Sequence, residues 1–383
     1  MKIEPLLFHI SKNSDSSIFS TCFALFVYDL FNEINDWSGK VINEWIDYIN
    51  SFQDINSGYF SPTAYNGNFD VKTIYQLTAF CLSALNIFNA SPKYQLSFLN
   101  QWKTSKDVNN YLTNNGCLSG VPGSGNMAMF LTIFLTYKYK YMHDDTALDL
   151  LNEWFSLHND YQNKNTGFWG SRILTRYYWG FQNALHQIIV YDYWNKEIHY
   201  KDHIIDNILK MQNIDGHFSM IPGGGACWDY DAVHILLIMT KKNEYRLSDV
   251  KQSLEKLYES LINSINDDGG FCESNSICDI IKNKKSLREF IFYGNIPYIW
   301  YSRIKTTLPI LIKKNYIYRT NWVKSNLYYN KSDLWNTWFK CLTIAEIETF
   351  FQNENSNNIK NGNWNFHKFI GLGYNSLKEK NID

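Results

Sequence analysis

The sequence predicts an all-α protein, an (α/α)6-type toroid built from repeated helical hairpins. Three observations predict it. A glycine-containing turn motif recurs at intervals of roughly 50 residues, the segments between the turns lack internal glycine and proline, and these segments alternate between amphipathic and uniformly apolar helices. A unit of this length holds two helices of about 12–15 residues, the size of a helical hairpin. Residues 1–383 are therefore expected to form a single toroid domain.

The turn motif is the strongest of these observations. Three stretches share a glycine, a serine three residues later and a second glycine nine residues on, and they begin at Gly58, Gly116 and Gly216. Looser copies surround three further glycines, Gly167, Gly270 and Gly362, with a wider gap between the last two. Glycine suits these positions because the end of a helix often needs a left-handed backbone conformation. The motif therefore marks the end of one helix in each successive repeat.

The segments between the turns divide into outer and inner helices. Residues 250–265 (VKQSLEKLYESLINSI) carry apolar residues three and four apart, as expected of an outer helix with one face in solvent. Residues 127–136 (MAMFLTIFLT) and 233–240 (VHILLIMT) are apolar on all sides and are predicted to be inner helices. Residues 1–45 are expected to form an outer-helix entry segment, and the polar residues 375–383 a flexible tail.

Composition narrows the class of protein. A net charge of −1 provides no basic surface for nucleic acid, so no nucleic-acid partner is expected. The seven cysteines are scattered and form no CxxC pair, which favours reduced thiols, a cytoplasmic location, and no metal or other cofactor. No apolar stretch is long enough for a signal peptide or a membrane span. The expected partner is a small-molecule substrate, and a partner subunit is left open.

The chain is organised around residues 207–240, where a Pro-Gly-Gly-Gly loop precedes an apolar run that contains Asp229, Asp231 and His234. Asp231 is predicted to be the N-cap of an inner helix, because its carboxylate can accept hydrogen bonds from unpaired backbone amides. His234 is three residues further on and is expected on the same face. Two neighbouring carboxyls split their titration, so one can remain protonated near neutral pH. Asp231 and Asp229 are therefore candidate catalytic acids.

Corresponding positions in other repeats provide further candidates. Asp70, Asn126 and Asn183 are each predicted to head an inner helix, as N-caps or as substrate ligands. His186 matches His234 on the adjacent inner helix, so both imidazoles are expected to face one cavity as catalytic or substrate-binding groups. The alternative for each histidine is a hydrogen-bonded place in the core.

Two further groups are candidates for contacts with a ligand. Five aromatic residues precede inner helices and are predicted either to line the cavity mouth or to pack between hairpins: Tyr177, Tyr178, Trp179, Trp228 and Tyr230. The backbone amides of Gly223, Gly224 and Gly225 are predicted to form an anion-binding nest, with a simple tight turn as the alternative. Arg176 is a candidate to neutralise an anionic substrate group.

Three turns, MQNIDGHF, INDDGGFCES and FQDINSGYF, resemble the Gln-to-aromatic turns of the terpenoid cyclase and protein prenyltransferase superfamily. The resemblance covers about residues 45–370, and it implies a toroid whose inner helices surround an apolar, aromatic-lined cavity. Class II terpenoid cyclases carry D-x-D-D, whose middle Asp is the general acid. Asp229 and Asp231 match its first two acidic positions, and Ala232 stands at the last.

Protein prenyltransferase β subunits carry D-x-x-H, whose His is a zinc ligand, and Asp231 and His234 match that pattern. The other ligands in those subunits are an Asp-x-Cys pair in the preceding hairpin. The preceding hairpin here reads RYYWGFQNALHQI and has neither residue, so the resemblance does not imply a zinc site.

Three functions are compatible with these observations. The first, favoured by the turn motifs, is a terpenoid cyclase-like enzyme that acts on an isoprenoid in the barrel, with Asp231 as general acid. The second is a carbohydrate-active enzyme, a hydrolase, lyase or epimerase, with Asp and His as acid and base. The third is a non-catalytic binding toroid or a prenyltransferase-β-like subunit. The shape and lining of the central cavity would distinguish them.

Overall fold

The computed structural model describes residues 6–12, 14–62, 69–277, 280, 283–313, 316–320, 325–354, 359 and 362–376. Within them lie thirteen α-helices: α1 (Ile18–Leu30), α2 (Gly39–Asn50), α3 (Val71–Ile87), α4 (Ser105–Asn114), α5 (Ser124–Met142), α6 (Thr146–Tyr161), α7 (Tyr178–Tyr193), α8 (Lys201–Met211), α9 (Ala226–Thr240), α10 (Leu247–Ile262), α11 (Lys284–Phe292), α12 (Pro297–Lys313) and α13 (Leu334–Asn353). Two short strands, β1 (Ile317–Tyr318) and β2 (Leu327–Tyr328), pair antiparallel.

Six inner helices form a closed ring in the order α1, α3, α5, α7, α9 and α13. Each packs against the next, and α13 packs against α1, which closes the ring. Helices α2, α4, α6, α8 and α10 lie outside it and contact inner helices or one another. The predicted all-α toroid of repeated hairpins is confirmed.

Burial explains why the two kinds of helix differ in sequence. On outer helix α10 the buried leucines and valine, at positions 250, 254, 257 and 261, are spaced by three or four residues and lie on one face. Inner helix α9 is buried along almost its whole length, because it contacts inner neighbours on both sides and the outer helices α8 and α10. None of the helices in the described residues is both long and apolar enough to cross a bilayer.

In three of the turns a glutamine joins one hairpin to the next. The Gln162 side-chain amide donates to the Gly167 carbonyl in its own turn, at 2.7 Å, and to the His199 carbonyl in the following hairpin, at 2.8 Å. Gln53 and Gln212 make the same two kinds of contact. The turn motif therefore stabilises both the helix end and the contact between repeats.

The starts of the inner helices correct part of the sequence prediction. Asp70 is the N-cap of α3, as expected, and accepts a hydrogen bond from the Thr73 amide at 2.7 Å. Asp231 and Asn183 are instead the sixth residues of α9 and α7. Helix α9 begins earlier because Gly225, with a φ of 102°, occupies the N-cap position.

A similar correction applies to α5, because Gly123, with a φ of 84°, is its N-cap and Asn126 lies inside the first turn. The chain termini also differ from expectation. Residues 1–45 contain the buried inner helix α1 rather than only an outer entry segment. Asn375 is buried and Ser376 contacts Asp192, so the expected tail does not include these two residues; residues 377–383 lie outside the described ones.

Two segments position the site. Residues 284–333, which contain α11, α12 and the β1–β2 pair, occupy the wide gap between the last two turn glycines. The C-terminal segment 362–376 runs inside the ring: a Cβ added to Gly371 would lie within 4 Å of Ile133 on α5 and Ser83 on α3. The Gly373 amide donates to the Tyr230 hydroxyl on α9 at 3.2 Å. This segment fills part of the ring's interior.

Candidate active site

A cavity of about 470 Å³ lies among the N-terminal turns of five inner helices. This volume falls within the range of small-molecule pockets, about 300–1,000 Å³. Its lining residues come from inner helices, from the segment between α10 and α13, and from the C-terminal segment: Lys72, Gln76, Gly123, Asn126, Gln182, His186, Cys227, Asp231, Glu273, Tyr318, Thr320, Tyr329, Trp335, Phe339 and Leu372.

Four inner helices each contribute two lining residues that are four positions apart. The pairs are Lys72 and Gln76 on α3, Gln182 and His186 on α7, Cys227 and Asp231 on α9, and Trp335 and Phe339 on α13. Residues four apart lie on one face of a helix, so each helix presents a single face to the cavity. Polar residues with this spacing on otherwise apolar helices are the sequence signal for the cavity wall.

Asp231 is the buried carboxyl group of this cavity. It is 6% exposed and accepts no hydrogen bond from any described residue. Burial, and secondly the nearby Asp229 carboxylate, raise the pKa of Asp231 well above its ordinary value. The protonated acid therefore persists at a pH where an exposed aspartate is ionised, as a proton donor requires.

Asp229 lies away from the cavity lining, although it is only two residues distant in sequence. One of its carboxylate oxygens lies 2.7 Å from His217 Nδ1, and the other accepts a hydrogen bond from the Phe218 amide at 2.8 Å. The group is completely buried. Asp229 thus joins α9 to the preceding turn and places a negative charge beside Asp231.

Only one of the two predicted histidines lines the cavity. His186 does so, and its Nδ1 contacts the Gln182 carbonyl at 2.9 Å. Burial lowers the pKa of His186 to about 4, so its imidazole is neutral at neutral pH. His234 lies outside the lining, with Nδ1 2.6 Å from an oxygen of the buried Glu346. The structure does not bring the two imidazoles together in one cavity.

The five aromatic residues predicted at the mouth are not among the lining residues. The buried Tyr178 hydroxyl donates to the Met211 carbonyl, and Trp228 packs against the Tyr178 ring. Tyr177 and Trp179 both contact Tyr298 on α12. Tyr230, the fifth, accepts a hydrogen bond inside the ring, as described above. These contacts fit the packing alternative for all five residues.

The aromatic wall of the cavity comes from a different part of the chain. Tyr318 and Tyr329 belong to or adjoin the β1–β2 pair, and Trp335 and Phe339 lie on α13. Trp335 and Phe339 also contact each other, with ring centroids 4.4 Å apart. Sequence reasoning missed this wall because these residues follow the last regular turn copy.

The glycine loop is not an open anion-binding nest. The Gly223 amide donates to an Asp215 carboxylate oxygen at 2.7 Å, and the Gly225 amide donates to the Glu273 carbonyl at 3.0 Å. Gly224 forms a β-bridge with Ser274. The prediction of free amides is therefore wrong for this loop, because it folds against the following turn. Glycine is required at position 224, where an added Cβ would lie 2.2 Å from the Glu273 carbonyl oxygen.

The cation at the cavity is also not the predicted one. Arg176 is exposed and lies over the Tyr298 ring, with 5.9 Å between the guanidinium carbon and the ring centroid. Lys72, on the first turn of α3, lines the cavity instead.

Glu273 is the second carboxyl of the cavity and was missed from the sequence. Burial raises the pKa of Glu273 to about 7, with a further contribution from Asp333. The sequence does contain a signal for Glu273. Glu273 lies two residues after the turn phenylalanine, and the matching position in the preceding copy is the apolar Met220, so a charged residue replaces an apolar one at this place. Among the described residues no group of three His, Cys, Asp or Glu side chains is arranged to hold a metal ion.

Asn183 caps a neighbouring helix. Its side-chain oxygen accepts hydrogen bonds from the Gly123 and Gly125 amides, at 3.0 and 3.1 Å, and its nitrogen donates to the Val121 carbonyl at 2.9 Å. The free backbone amides at the start of α5 are thereby satisfied by a residue of α7.

We expect Asn183→Ala to lower the free energy of unfolding by about 1–2 kcal/mol, because two buried amides lose their acceptor. Asn126→Ala is the matched control, since the Asn126 side chain makes no hydrogen bond with described residues and should change stability little. Urea denaturation of both variants measures the difference. Equal stabilities would contradict the capping role.

Comparison with known proteins shows the family to which the chain belongs. A family model described as prenyltransferase alpha-alpha toroid domain matches residues 2–128 and 124–278. The matched residues include α1 to α10 and the cavity residues from Lys72 to Glu273. No curated protein and no solved structure matches the chain.

Proposed function

The chain belongs to the prenyltransferase alpha-alpha toroid domain family, and from this premise we propose that it is an enzyme that cyclises an isoprenoid substrate in the central cavity. In this proposal Asp231 is the general acid. One observation carries the proposal: a buried carboxyl without a hydrogen bond from any described residue lines a cavity that also has four aromatic rings in its wall.

The proposed reaction begins with proton transfer. The Asp231 O–H bond breaks as the proton is transferred to a carbon of an alkene, or to the oxygen of an epoxide, and a carbocation forms. The next alkene of the chain attacks this cation, which forms a carbon–carbon bond and moves the positive charge along the substrate. Aromatic faces stabilise such a cation electrostatically, and Trp335 and Phe339 lie on α13 at the cavity.

The reaction ends when a base removes a proton from the carbon next to the last cation. Glu273 is suited to this role because its pKa of about 7 leaves a substantial ionised fraction at neutral pH. Transfer of one proton to the substrate and removal of another makes the product an isomer of the substrate. The reaction therefore requires no oxidant or reductant.

Incubation with linear isoprenoids in D₂O tests this function. With a plain alkene we expect a cyclised isomer that carries one deuterium at the carbon protonated first, detected by mass spectrometry. With an epoxide the deuteron goes to a hydroxyl oxygen and exchanges with water, so formation of the cyclised isomer is itself the expected result. Epoxide-bearing and plain alkene substrates should be compared, because they differ in the ease of protonation. Recovery of every substrate unchanged, with no deuterium incorporated, would count against a cyclase.

A carbohydrate-active enzyme is the second candidate. It is supported by the presence of two carboxyls, Asp231 and Glu273, and several amide side chains in one cavity. Release of reducing ends from oligosaccharides, in the absence of isoprenoid turnover, would favour this alternative. Binding of a ligand without any chemical change would favour a non-catalytic toroid.

A further inference from the structure

We propose that one wall of the cavity, formed by Lys72, Gln76, Asn126 and Gln182, binds a carboxylate head group on the isoprenoid substrate. This inference rests on the proposed function and narrows its substrate class to singly charged isoprenoid acids. The wall is continuous, because its four residues lie on α3, α5 and α7, which pack against one another in that order. The four residues are called the polar wall below.

Lys72 provides the charge of the polar wall. Its side chain is half-buried and makes no hydrogen bond or ion pair with a described residue. Burial lowers the pKa of Lys72, and the Asp70 carboxylate only partly opposes this. A desolvated ammonium group is stabilised by an anion, because charge-assisted hydrogen bonds are stronger away from water.

Three amide side chains surround this charge. Gln76, Asn126 and Gln182 make no side-chain hydrogen bond with described residues, and each carries two N–H donors. Gln182 contributes its backbone carbonyl to the contact with His186, which leaves its side chain available. One ammonium and several amide donors are the groups that a carboxylate requires.

The number of charges distinguishes a carboxylate from a diphosphate. Lys72 is the only cationic residue among the described residues that line the cavity, since the low pKa of His186 makes that imidazole neutral. Asp231 and Glu273 add negative charge to the same cavity when ionised. A diphosphate carries more than one negative charge and is usually held by several cations or by Mg²⁺. One lysine therefore matches a monoanion.

Calorimetric titration of the Asp231→Asn protein, in which turnover is blocked, tests the inference with three probes: farnesoic acid, farnesol and farnesyl diphosphate. We expect the acid to bind about tenfold or more tightly than the other two. A second substitution, Lys72→Met, should weaken acid binding by about tenfold or more and leave farnesol binding unchanged. Lys106→Met, on an exposed face of α4, is the matched control and should have no effect.

The outcomes separate the two proposals. Tightest binding of the diphosphate, or equal binding of acid and alcohol that is insensitive to Lys72→Met, would overturn the carboxylate inference while the cyclase proposal stands. Failure of all three probes to bind would overturn both. Circular dichroism and the melting temperature should show that Lys72→Met is folded, because Lys72 has no described partner to lose.

Discussion

Asp231→Asn is expected to reduce the rate of product formation by about 10²–10⁴-fold, the usual contribution of a general acid. The amide has the same shape as the carboxyl but no proton of suitable acidity. The free energy of unfolding should remain unchanged or rise, because no hydrogen bond from a described residue is lost and a buried carboxyl is removed. Initial rates and urea denaturation of the same preparations measure both effects.

The pH dependence of the wild-type rate gives an independent check on Asp231. Burial and the Asp229 carboxylate raise the pKa of Asp231, so the active protonated form is lost only as pH rises through that higher value. The rate should therefore decrease with rising pH only far above the range where exposed aspartates titrate. Full activity of Asp231→Asn would remove Asp231 from the mechanism.

Asp229→Ala, unlike Asp231→Asn, is expected to destabilise the fold. We expect the free energy of unfolding to fall by about 3–5 kcal/mol. The substitution leaves the buried His217 ring and the Phe218 amide without their acceptor. Asp249→Ala is the matched control: Asp249 is exposed on α10 and pairs with Arg246, so its loss should cost about 1 kcal/mol or less. Urea denaturation measures both variants.

The effect of Asp229→Ala should also depend on pH. Burial favours the neutral form of His217, but the Asp229 carboxylate and its hydrogen bond outweigh burial and raise the pKa of His217 above 6.5. A raised histidine pKa stabilises the fold fully below the unfolded value, near 6.5, and this stabilisation is lost as pH rises through the folded value. The difference between wild type and variant should therefore be larger at low pH. A small difference that is independent of pH would contradict the buried pair.

Helix geometry explains why these neighbouring aspartates differ. Residues two apart point to different sides of a helix, so Asp231 lines the cavity while Asp229 turns towards the preceding loop. The sequence identified both as candidate acids, because two neighbouring carboxyls split their titration, and it placed the N-cap of the helix at Asp231. The N-cap of α9 is Gly225, six residues before the predicted one, so both aspartates lie inside the helix and their side chains point to different sides.

Other residues of the cavity could not be predicted from the sequence. The sequence predicted the position of Asp231 near an inner-helix start, but not its neighbours Glu273, Tyr318 and Phe339 in the cavity wall. These residues follow or interrupt the regular repeats, so no turn motif indicated where they would lie. His234 was expected in the cavity, yet it pairs with Glu346, a residue 112 positions away in the chain.

The sequence by itself determined the ring of hairpins, because helix periodicity and glycine turns are local properties that recur along the chain. Only the tertiary structure decided the lining of the cavity. Ring closure brings α13 beside α1 and α9, and it places the C-terminal segment inside the ring. Which side chains meet there depends on the rotation of each helix about its axis, and packing against the neighbouring helices sets that rotation.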